Sequence, residues 1–326
     1  MTANRDSLFL ADATPQWHSV GMKKRYQLYS EHLKQAFGGR VHKISIDAGL
    51  GCPNRGGGRA GAGCLFCAPS GSGSVGIEHH LSIAAQLEAG KDVMVRKYKA
   101  QRFIAYFQPF SNTFAPLETL RRYYDEALAD EEVVGLAIGT RPDCLADDIL
   151  DLLAEYNHRT DLWLEIGLQS IHDSTLNFLR RGHDYATFLA ACEGAMRRGI
   201  RVCVHVILGL PGEDREGMLA IADEMARLKI DGIKVHLLHV LRGTELGDLY
   251  ERGEIELLEQ DDYVALVADF IERLHPETLI HRLTGDGPRE ILLAPLWSLN
   301  KWEVLNAIDA EMERRETTQG SRCQVT

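Results

Sequence analysis

The chain of 326 residues carries 36 Lys and Arg against 47 Asp and Glu, which gives a formal net charge of −11. This acidic balance argues against a protein that binds nucleic acid mainly by neutralising phosphates, so stable DNA binding is not expected, although a local basic groove is not excluded. With 45% hydrophobic and 25% charged residues, the chain has the composition of a globular protein with a large core. Its sequence contains no apolar stretch as long as a signal peptide or a membrane span needs, and we therefore expect a cytoplasmic protein without a membrane partner.

Short runs rich in β-branched and aromatic residues alternate with longer amphipathic segments. The runs predict strands over 43–49, 102–108, 133–140, 162–170, 201–209 and 232–241. The amphipathic segments predict helices over 82–98, 115–130, 146–157, 184–199 and 214–229. This alternation indicates a parallel α/β sheet with right-handed crossovers, either a doubly wound open sheet or a whole or partial barrel. In both architectures the chemistry belongs at the carboxyl ends of the strands.

The first predicted strand leads into a glycine-rich loop with Cys52, Cys64 and Cys67 in the spacing C-x11-C-x2-C. The glycines allow the loop to turn three sulfurs towards one site. Thiolates are the ligands of iron–sulfur clusters, and three of them leave one iron of a four-iron cluster open. A zinc ribbon would need a second C-x2-C pair, which is missing, whereas a catalytic zinc site with three protein ligands fits the count. Three buried cysteines acting only as small hydrophobes are less favoured, because the loop has few apolar neighbours.

The other cysteines need less explanation. Cys192 and Cys203 lie in a predicted helix and a predicted strand, where a free cysteine usually behaves as a core hydrophobe. Cys144 follows the third strand, near the expected active end, and is a candidate for a redox or hydrogen-donating role. Cys323 lies in a polar terminal segment.

Several segments in order resemble one family. They are FQPFSNTFAP (107–116), GLAIGTRPD (135–143), LEIGLQS (164–170), RRGHDY (180–185), VHVILGLPGE (204–213), LLHVLRGTEL (237–246), HRLTGDGPRE (281–290) and LAPLWSLNKWEVLNAI (293–308). With the cysteine loop they resemble the radical S-adenosylmethionine (SAM) superfamily over approximately residues 20–310. The similarity is to the branch that includes the elongator catalytic subunit and oxygen-independent coproporphyrinogen oxidase, and within it to the YhcC-type radical SAM proteins.

The resemblance implies an α/β fold, a partial (β/α)6 TIM-like barrel of the radical SAM type with N- and C-terminal extensions. We expect an N-terminal extension over 1–42, a barrel core over 43–245, a C-terminal extension over 246–310 that closes the barrel mouth, and a polar, flexible tail over 311–326.

The resemblance also implies the cofactors. Cys52, Cys64 and Cys67 would hold a [4Fe–4S] cluster whose fourth iron binds the amino and carboxylate groups of SAM. Reductive cleavage of SAM would release methionine and a radical that takes hydrogen from the substrate. A flavodoxin- or ferredoxin-type protein is the expected electron donor.

Cofactor contacts follow from the resemblance residue by residue. Gln169 and Arg181 match polar positions that hold the cofactor in related enzymes, and a guanidinium suits the methionine carboxylate. Leu208 and Gly209 resemble the segment that packs against adenine. His205 matches a position that often contacts the cofactor. A solvated cation for Arg181 and a core histidine for His205 are the structural alternatives.

Period-two alternation places Glu165 on the same strand face as Gln169, so we expect this carboxylate to face the barrel interior. A buried carboxylate needs a partner there, either the ribose or an arginine such as Arg141. Thr140 and Arg141 are further candidates for cofactor contacts.

The chain departs from its relatives after the second strand. Many of them have a glycine-rich turn there that binds the amino group of the cofactor, whereas this chain has the segment 108–113. Within this segment, Gln108, Ser111 and Asn112 are candidates for binding that amino group. In the third strand, Gly139 stands where elongator-type sequences have a glutamate.

Substrate residues are expected on the last two strands and the C-terminal segment. The polar candidates are His236, His239, Arg242, His281, Arg282, Asp286 and Arg289, with His239, Arg242 and Cys144 as candidates for catalysis. Such a set suits a phosphate, a carboxylate or an RNA backbone. A tight solvated turn is the alternative for the segment 281–290.

Three functions are compatible with these residues. The first is a radical SAM enzyme acting on an unidentified small metabolite or RNA nucleoside. The others are a three-cysteine zinc enzyme and a non-catalytic iron–sulfur sensor or scaffold, which the further cofactor-type motifs disfavour.

Overall fold

The structure is a computed structural model that describes residues 24–61, 63–68, 71, 80–285 and 287–325. In this part of the chain, seven parallel strands form one curled sheet in the order β1-β2-β3-β4-β5-β6-β8. These strands are β1 (Val41–Ile46), β2 (Arg102–Phe107), β3 (Val133–Thr140), β4 (Asp161–Gln169), β5 (Arg201–Leu208), β6 (Gly232–Leu237) and β8 (Leu279–Arg282). A second, antiparallel pair consists of β7 (Val240–Leu241) and β9 (Leu292–Ala294).

The helices lie between the strands and at both ends of the described chain. They are α1 (Tyr29–Phe37), α2 (Ile83–Tyr98), α3 (Leu117–Leu128), α4 (Asp147–Asn157), α5 (Asp173–Phe178), α6 (Tyr185–Arg197), α7 (Arg215–Arg227), α8 (Glu245–Glu251), α9 (Gln260–Arg273) and α10 (Lys301–Arg314). Each predicted helix and all but one of the predicted strands correspond to one element of the structure, and the fold is the expected partial barrel.

Two features differ from the sequence expectation. The run 232–241 does not form one strand, because β6 ends at Leu237 and Val240–Leu241 pairs instead with β9. The sheet also has a seventh strand, β8, which pairs with β6 and follows helix α9. The outer edge of β8 is covered by the chain before α1, where Ile280 N donates to Gln27 O at 2.7 Å.

The two faces of the sheet have different chemistry, as the alternation of a strand requires. Ile138, Leu164 and Val204 face outward, where they are fully buried in the core formed with the helices. The inward face carries an apolar floor in which Trp163 packs with Tyr29 and Leu33 of α1. Tyr29 also stacks on the ring of His281, with 3.7 Å between centroids. Helix α1 therefore fills the amino end of the barrel.

The end of the chain differs from the expected flexible tail over 311–326. Residues 311–314 complete α10, and Gln319 is only 8% exposed. Its amide accepts from Gln27 N at 2.9 Å and donates to Thr278 O at 2.8 Å. Arg315 pairs with Asp269 of α9 at 2.6 Å. Polar side chains hold this segment against the barrel, which polar composition alone does not reveal.

Among the residues that the structure describes, no helix is long and apolar enough to cross a lipid bilayer.

Replacing Trp163 tests the apolar floor. Trp163 is 0% exposed, so the Trp163→Ala variant should lose about 3–5 kcal/mol of unfolding free energy through lost contacts and the cavity left behind. Urea unfolding followed by circular dichroism measures this loss. Trp302→Ala is the matched control, because Trp302 is 62% exposed and its removal should change little. Equal effects of the two substitutions would contradict the floor assignment.

Candidate active site

A cavity of about 530 Å³ opens at the carboxyl ends of the strands. One side is formed by the cysteine loop, which contributes Cys52, Cys64 and Cys67. The opposite wall is formed by inward-facing side chains of β5, β6 and β8, including His205, Lys234 and Arg282. The three cysteines and most of the polar candidates from the sequence thus meet in one cavity.

Arg55 organises the cysteine loop from inside. This guanidinium is only 8% exposed and donates to Ala68 O at 2.7 Å, to Arg59 O at 3.1 Å and to Cys67 Sγ at 3.2 Å. It also fits against Gly63, whose φ is +71° and where an added Cβ would lie 3.0 Å from Arg55 Nε. A glycine is needed there both for the backbone conformation and for the space.

Arg59 anchors the same loop to the end of β1. Its guanidinium donates to both carboxylate oxygens of Asp47, at 2.7 and 2.6 Å. Within the loop, Cys52 N donates to Gly58 O at 2.9 Å. At Gly51 an added Cβ would lie 2.2 Å from Gly57 O, so only glycine permits this close approach of two backbone segments.

Arg181 reaches Cys64 from the segment after α5. It is 6% exposed and donates to Cys64 Sγ at 3.3 Å and to Gly167 O at 2.6 Å. Asn54 Nδ2 lies 3.2 Å from the same sulfur. Arg141 supports Arg181 by donating to its carbonyl oxygen, and forms a two-pronged pair with Asp143 at 2.9 Å for both bonds.

The surroundings of the sulfurs determine their ionisation. Burial opposes ionisation of Cys64, but the charge and hydrogen bond of Arg181 outweigh it, so the pKa of Cys64 lies below its ordinary value. Burial raises the pKa of Cys67, and Arg55 only partly offsets this effect. Guanidinium groups therefore face two of the three sulfurs, as anionic ligands require.

The polar part of the barrel interior centres on Glu165, which is 0% exposed. Its carboxylate pairs with Lys43 of β1 and Lys234 of β6, and His205 Nε2 lies 2.8 Å from Glu165 Oε2. Lys234 Nζ also donates to the Tyr106 hydroxyl at 3.0 Å. Burial disfavours ionisation of Glu165, yet the two lysines keep its pKa well below the ordinary value.

Glu165 thus faces the interior, as strand alternation predicts, but its partner differs from the expectation. Arg141 binds Asp143 instead, because Asp143 follows it closely in the short helical turn Pro142–Cys144. Burial and the adjacent Lys234 lower the pKa of His205 to about 4, so His205 is neutral at physiological pH.

The structure places the predicted site residues in two groups. Those that line the cavity are Cys52, Cys64, Cys67, Gln108, Ser111, Thr140, Arg141, Glu165, Gln169, Arg181, His205, His236, His239, Arg282 and Arg289. Gln169 forms the last pair of β4 with β5, directly after a register shift, and has a φ of +78°. This conformation is strained for a residue other than glycine, and the side chain lines the cavity.

The second group lies elsewhere. Asn112 is fully buried and its amide donates to Phe107 O at 3.1 Å and Gly139 O at 2.9 Å, so it holds the segment after β2 in place. Leu208 packs in the outer core, and Gly209 has a φ of +83° in the turn that follows it. These residues do not line the cavity.

The remaining candidates are also outside it. Burial raises the pKa of Cys144 to about 12, which leaves a neutral thiol. Arg242 is exposed beside β7, and His281 belongs to the apolar floor. Asp286 lies outside the described residues.

Sequence reasoning missed four residues of this site: Arg55, Lys43, Lys234 and Tyr106. Lys43 and Lys234 could have been identified from the sequence, because a lysine inside an otherwise apolar strand needs a counter-charge. Arg55 could not, because it lies in a polar loop where an arginine is normally solvated.

The donor chemistry fits an iron–sulfur cluster. Three cysteines line one cavity. Arg141 and Arg181 line the same cavity, and Arg141 Nη1 and Arg181 Nε are buried without a hydrogen-bond partner among the residues that the structure describes. Within the described segments, no three Cys, His, Asp or Glu side chains are arranged to hold a single metal ion. A four-iron cluster distributes its ligands over separate irons and so accepts more widely spaced sulfurs.

Comparison with known families agrees with this geometry. Residues 49–225 match the model of the radical SAM superfamily, and residues 230–314 match that of the radical SAM C-terminal domain. The chain belongs to the radical SAM superfamily. It is a radical SAM enzyme, a class that uses a [4Fe–4S] cluster and SAM.

Two relatives share most of their length with this radical SAM chain. The protein YtqA of Bacillus subtilis (strain 168) is 47% identical over 298 residues, which are 91% of this chain and 92% of YtqA. The protein YhcC of Escherichia coli (strain K12) is 38% identical over 289 residues, 88% of this chain and 92% of YhcC.

A solved structure shows the same fold. Elp3 of Methanocaldococcus infernus, with an N-terminal deletion, aligns with a TM-score of 0.66 at 16% identity over 86% of this chain. The alignment covers 64% of the Elp3 chain, so this chain spans less than two thirds of it.

Replacing Arg55 tests the internal support of the cysteine loop. A lysine keeps the charge but cannot satisfy the carbonyls of Arg59 and Ala68 and the sulfur of Cys67 together, because it lacks the planar fork of donors. After identical anaerobic reconstitution, Arg55→Lys should hold several-fold less iron and sulfide than the unmodified protein. Arg252→Lys is the control, since the Arg252 side chain is 55% exposed. Full loading of Arg55→Lys would refute this role.

Proposed function

We propose that Cys52, Cys64 and Cys67 bind the [4Fe–4S] cluster and that the adjoining cavity binds SAM and the substrate. The observation that carries this proposal is the meeting of the three cysteines with buried arginines in one cavity, in which Arg55 and Arg181 donate to cysteine sulfurs. Neutral cysteines that served only as small hydrophobic residues would not need buried cations beside them, because an unpaired buried charge is costly.

The chain's own residues have separable roles around the cofactors. Arg55 and Arg181 stabilise the thiolates, and Arg181 retains a buried Nε without a partner in the described part of the chain. That Nε and Arg141 Nη1 are the donors we assign to the SAM carboxylate. Polar contacts to the rest of SAM are proposed for the other cavity-lining candidates, Gln108, Thr140, Gln169 and His205.

A bound, reduced cluster would supply the electron for the cleavage of SAM, and a product of this cleavage would take a hydrogen atom from the substrate. The protein positions the reacting groups and excludes water from them. The segment 246–310 is proposed to close the mouth, a role that the lining residues Gly285, Gly287 and Pro288 support. A flavodoxin- or ferredoxin-type donor is proposed to deliver the electron.

A cysteine substitution tests the proposal. Cys64→Ala should abolish the visible absorbance of the reconstituted cluster and the formation of 5′-deoxyadenosine from SAM and dithionite, because a ligand is lost. Chromatography quantifies 5′-deoxyadenosine under anaerobic conditions.

Cys323→Ser is the matched control, because Cys323 lies outside the cavity. It should keep both the cluster and the cleavage. A Cys64→Ala protein that keeps both would overturn the ligand assignment, and cluster binding without any cleavage in the unmodified protein would favour a sensor or scaffold.

A further inference from the structure

Four residues in register on β4, β5, β6 and β8 form the inner wall of the cavity, which lies opposite the cysteine loop. Backbone pairing places Gly167 beside His205, His205 beside Lys234, and Lys234 beside Arg282. Residues in register on neighbouring parallel strands face the same side of a sheet, and all four line the cavity. The row therefore brings a lysine and an arginine side by side inside the barrel.

The charges of this wall do not balance. Glu165 is its buried anion, and it is shared between Lys43 and Lys234, which leaves one positive charge in excess. Arg282 adds a second, since it forms no ion pair within the described segments. The surplus contrasts with the net charge of −11 of the whole chain.

These cations are separate from those of the cysteine loop. Arg55 and Arg181 contact sulfurs, and Arg141 binds Asp143. Arg282 contacts none of the three cysteines in the structure, so the cluster does not account for its position at the cavity.

A buried ring nitrogen that can donate a hydrogen bond lies next to the same wall. His236 follows Lys234 by two residues, so its side chain has the same orientation, and its ring lies 5.3 Å from that of His205. Its Nε2 is buried without a hydrogen-bond partner in the described part of the chain. An added Cβ at Gly285 would lie 3.6 Å from His236 Nδ1, so the segment after β8 passes directly over this ring.

We propose that Arg282, with Lys234 and His236, binds a carboxylate or phosphate group of the substrate, and that the substrate of this enzyme is a small anion. Arg282 is partly buried and has no ion pair in the described segments, and His236 Nε2 on the same wall is buried without a partner, so an anionic ligand that contacts both would satisfy both groups. The inference rests on the proposed function only in taking the cavity as the substrate site.

The size of the cavity favours a small molecule over RNA. A volume of about 530 Å³ is in the range of small-molecule pockets and must hold the cofactor as well. An RNA substrate would need a basic surface leading to the cavity, whereas the chain is acidic overall.

Anion titration of the holoenzyme tests the proposal. The reconstituted protein with an oxidised cluster and saturating SAM, without reductant, is titrated calorimetrically with inorganic phosphate and separately with succinate. SAM occupies the arginines near the cluster, so the remaining binding reports the inner wall. The unmodified protein should bind at least one of the two anions, and the stronger one identifies the phosphate or the carboxylate as the preferred group.

Arg282→Gln should weaken this binding at least tenfold, and Arg282→Lys should weaken it less, because the charge remains without the fork of donors. Arg252→Gln is the control, since Arg252 is exposed and pairs with Glu254, and it should bind as the unmodified protein does. Iron content and melting temperature verify that each variant is folded, and Arg282→Lys carries the test if Arg282→Gln does not fold.

Undiminished anion binding by the Arg282 variants, or no binding of either anion by the unmodified protein, would overturn the proposal. Tight binding of a single-stranded RNA oligomer that is independent of Arg282 would also overturn it. The proposed function fails separately: anion binding without any 5′-deoxyadenosine formation would refute the enzyme mechanism and leave the anion site standing.

Discussion

A carboxylate cannot stay ionised inside a barrel without counter-charges, and the shape of this molecule depends on how Glu165 meets that constraint. Its partners come from distant strands, Lys43 on β1 and Lys234 on β6, while Glu165 itself is on β4. The two lysines reach one carboxylate only because the sheet curls. Removing Glu165 would leave Lys43 and Lys234 without their anion inside the barrel, which is among the most destabilising changes in a core.

The same network divides the interior into two regions. Below it, Trp163, Tyr29 and Leu33 form a packed apolar floor closed by α1. Above it, the cavity is polar and lies at the carboxyl ends of the strands, where the cysteine loop follows β1. Stability and chemistry are therefore assigned to opposite ends of the barrel, as in barrels generally. The buried arginines extend the polar region to the sulfurs.

The sequence predicted the parts of the molecule that have a strong local pattern. The apolar strands and the amphipathic helices were predicted because burial on the outer face of the sheet imposes that pattern. Strand β8 was missed because it has four residues with two polar ones, His281 and Arg282, and its place is set by pairing with β6. The division of 232–241 depends on β9, more than fifty residues away in the chain, which no local pattern reports.

For the site, residue type predicted chemistry better than it predicted position. The cysteines meet in the cavity, whereas Asn112 uses its amide to hold the carbonyl oxygens of Phe107 at the end of β2 and Gly139 on β3. Asparagine serves both purposes, and only the fold distinguishes them. Arg55 shows the converse, because a guanidinium in a glycine-rich loop has no sequence signature of burial, yet it supports three residues in two segments of that loop.

The central claim is that three cysteines leave one iron of the cluster open for SAM. Electron paramagnetic resonance of the dithionite-reduced protein, recorded with and without SAM, tests it most directly. The account predicts the spectrum of a reduced four-iron cluster whose g-values and line shape change when SAM is added, because the cofactor binds the open iron. A spectrum identical with and without SAM, or a protein that takes up zinc and no iron, would contradict it.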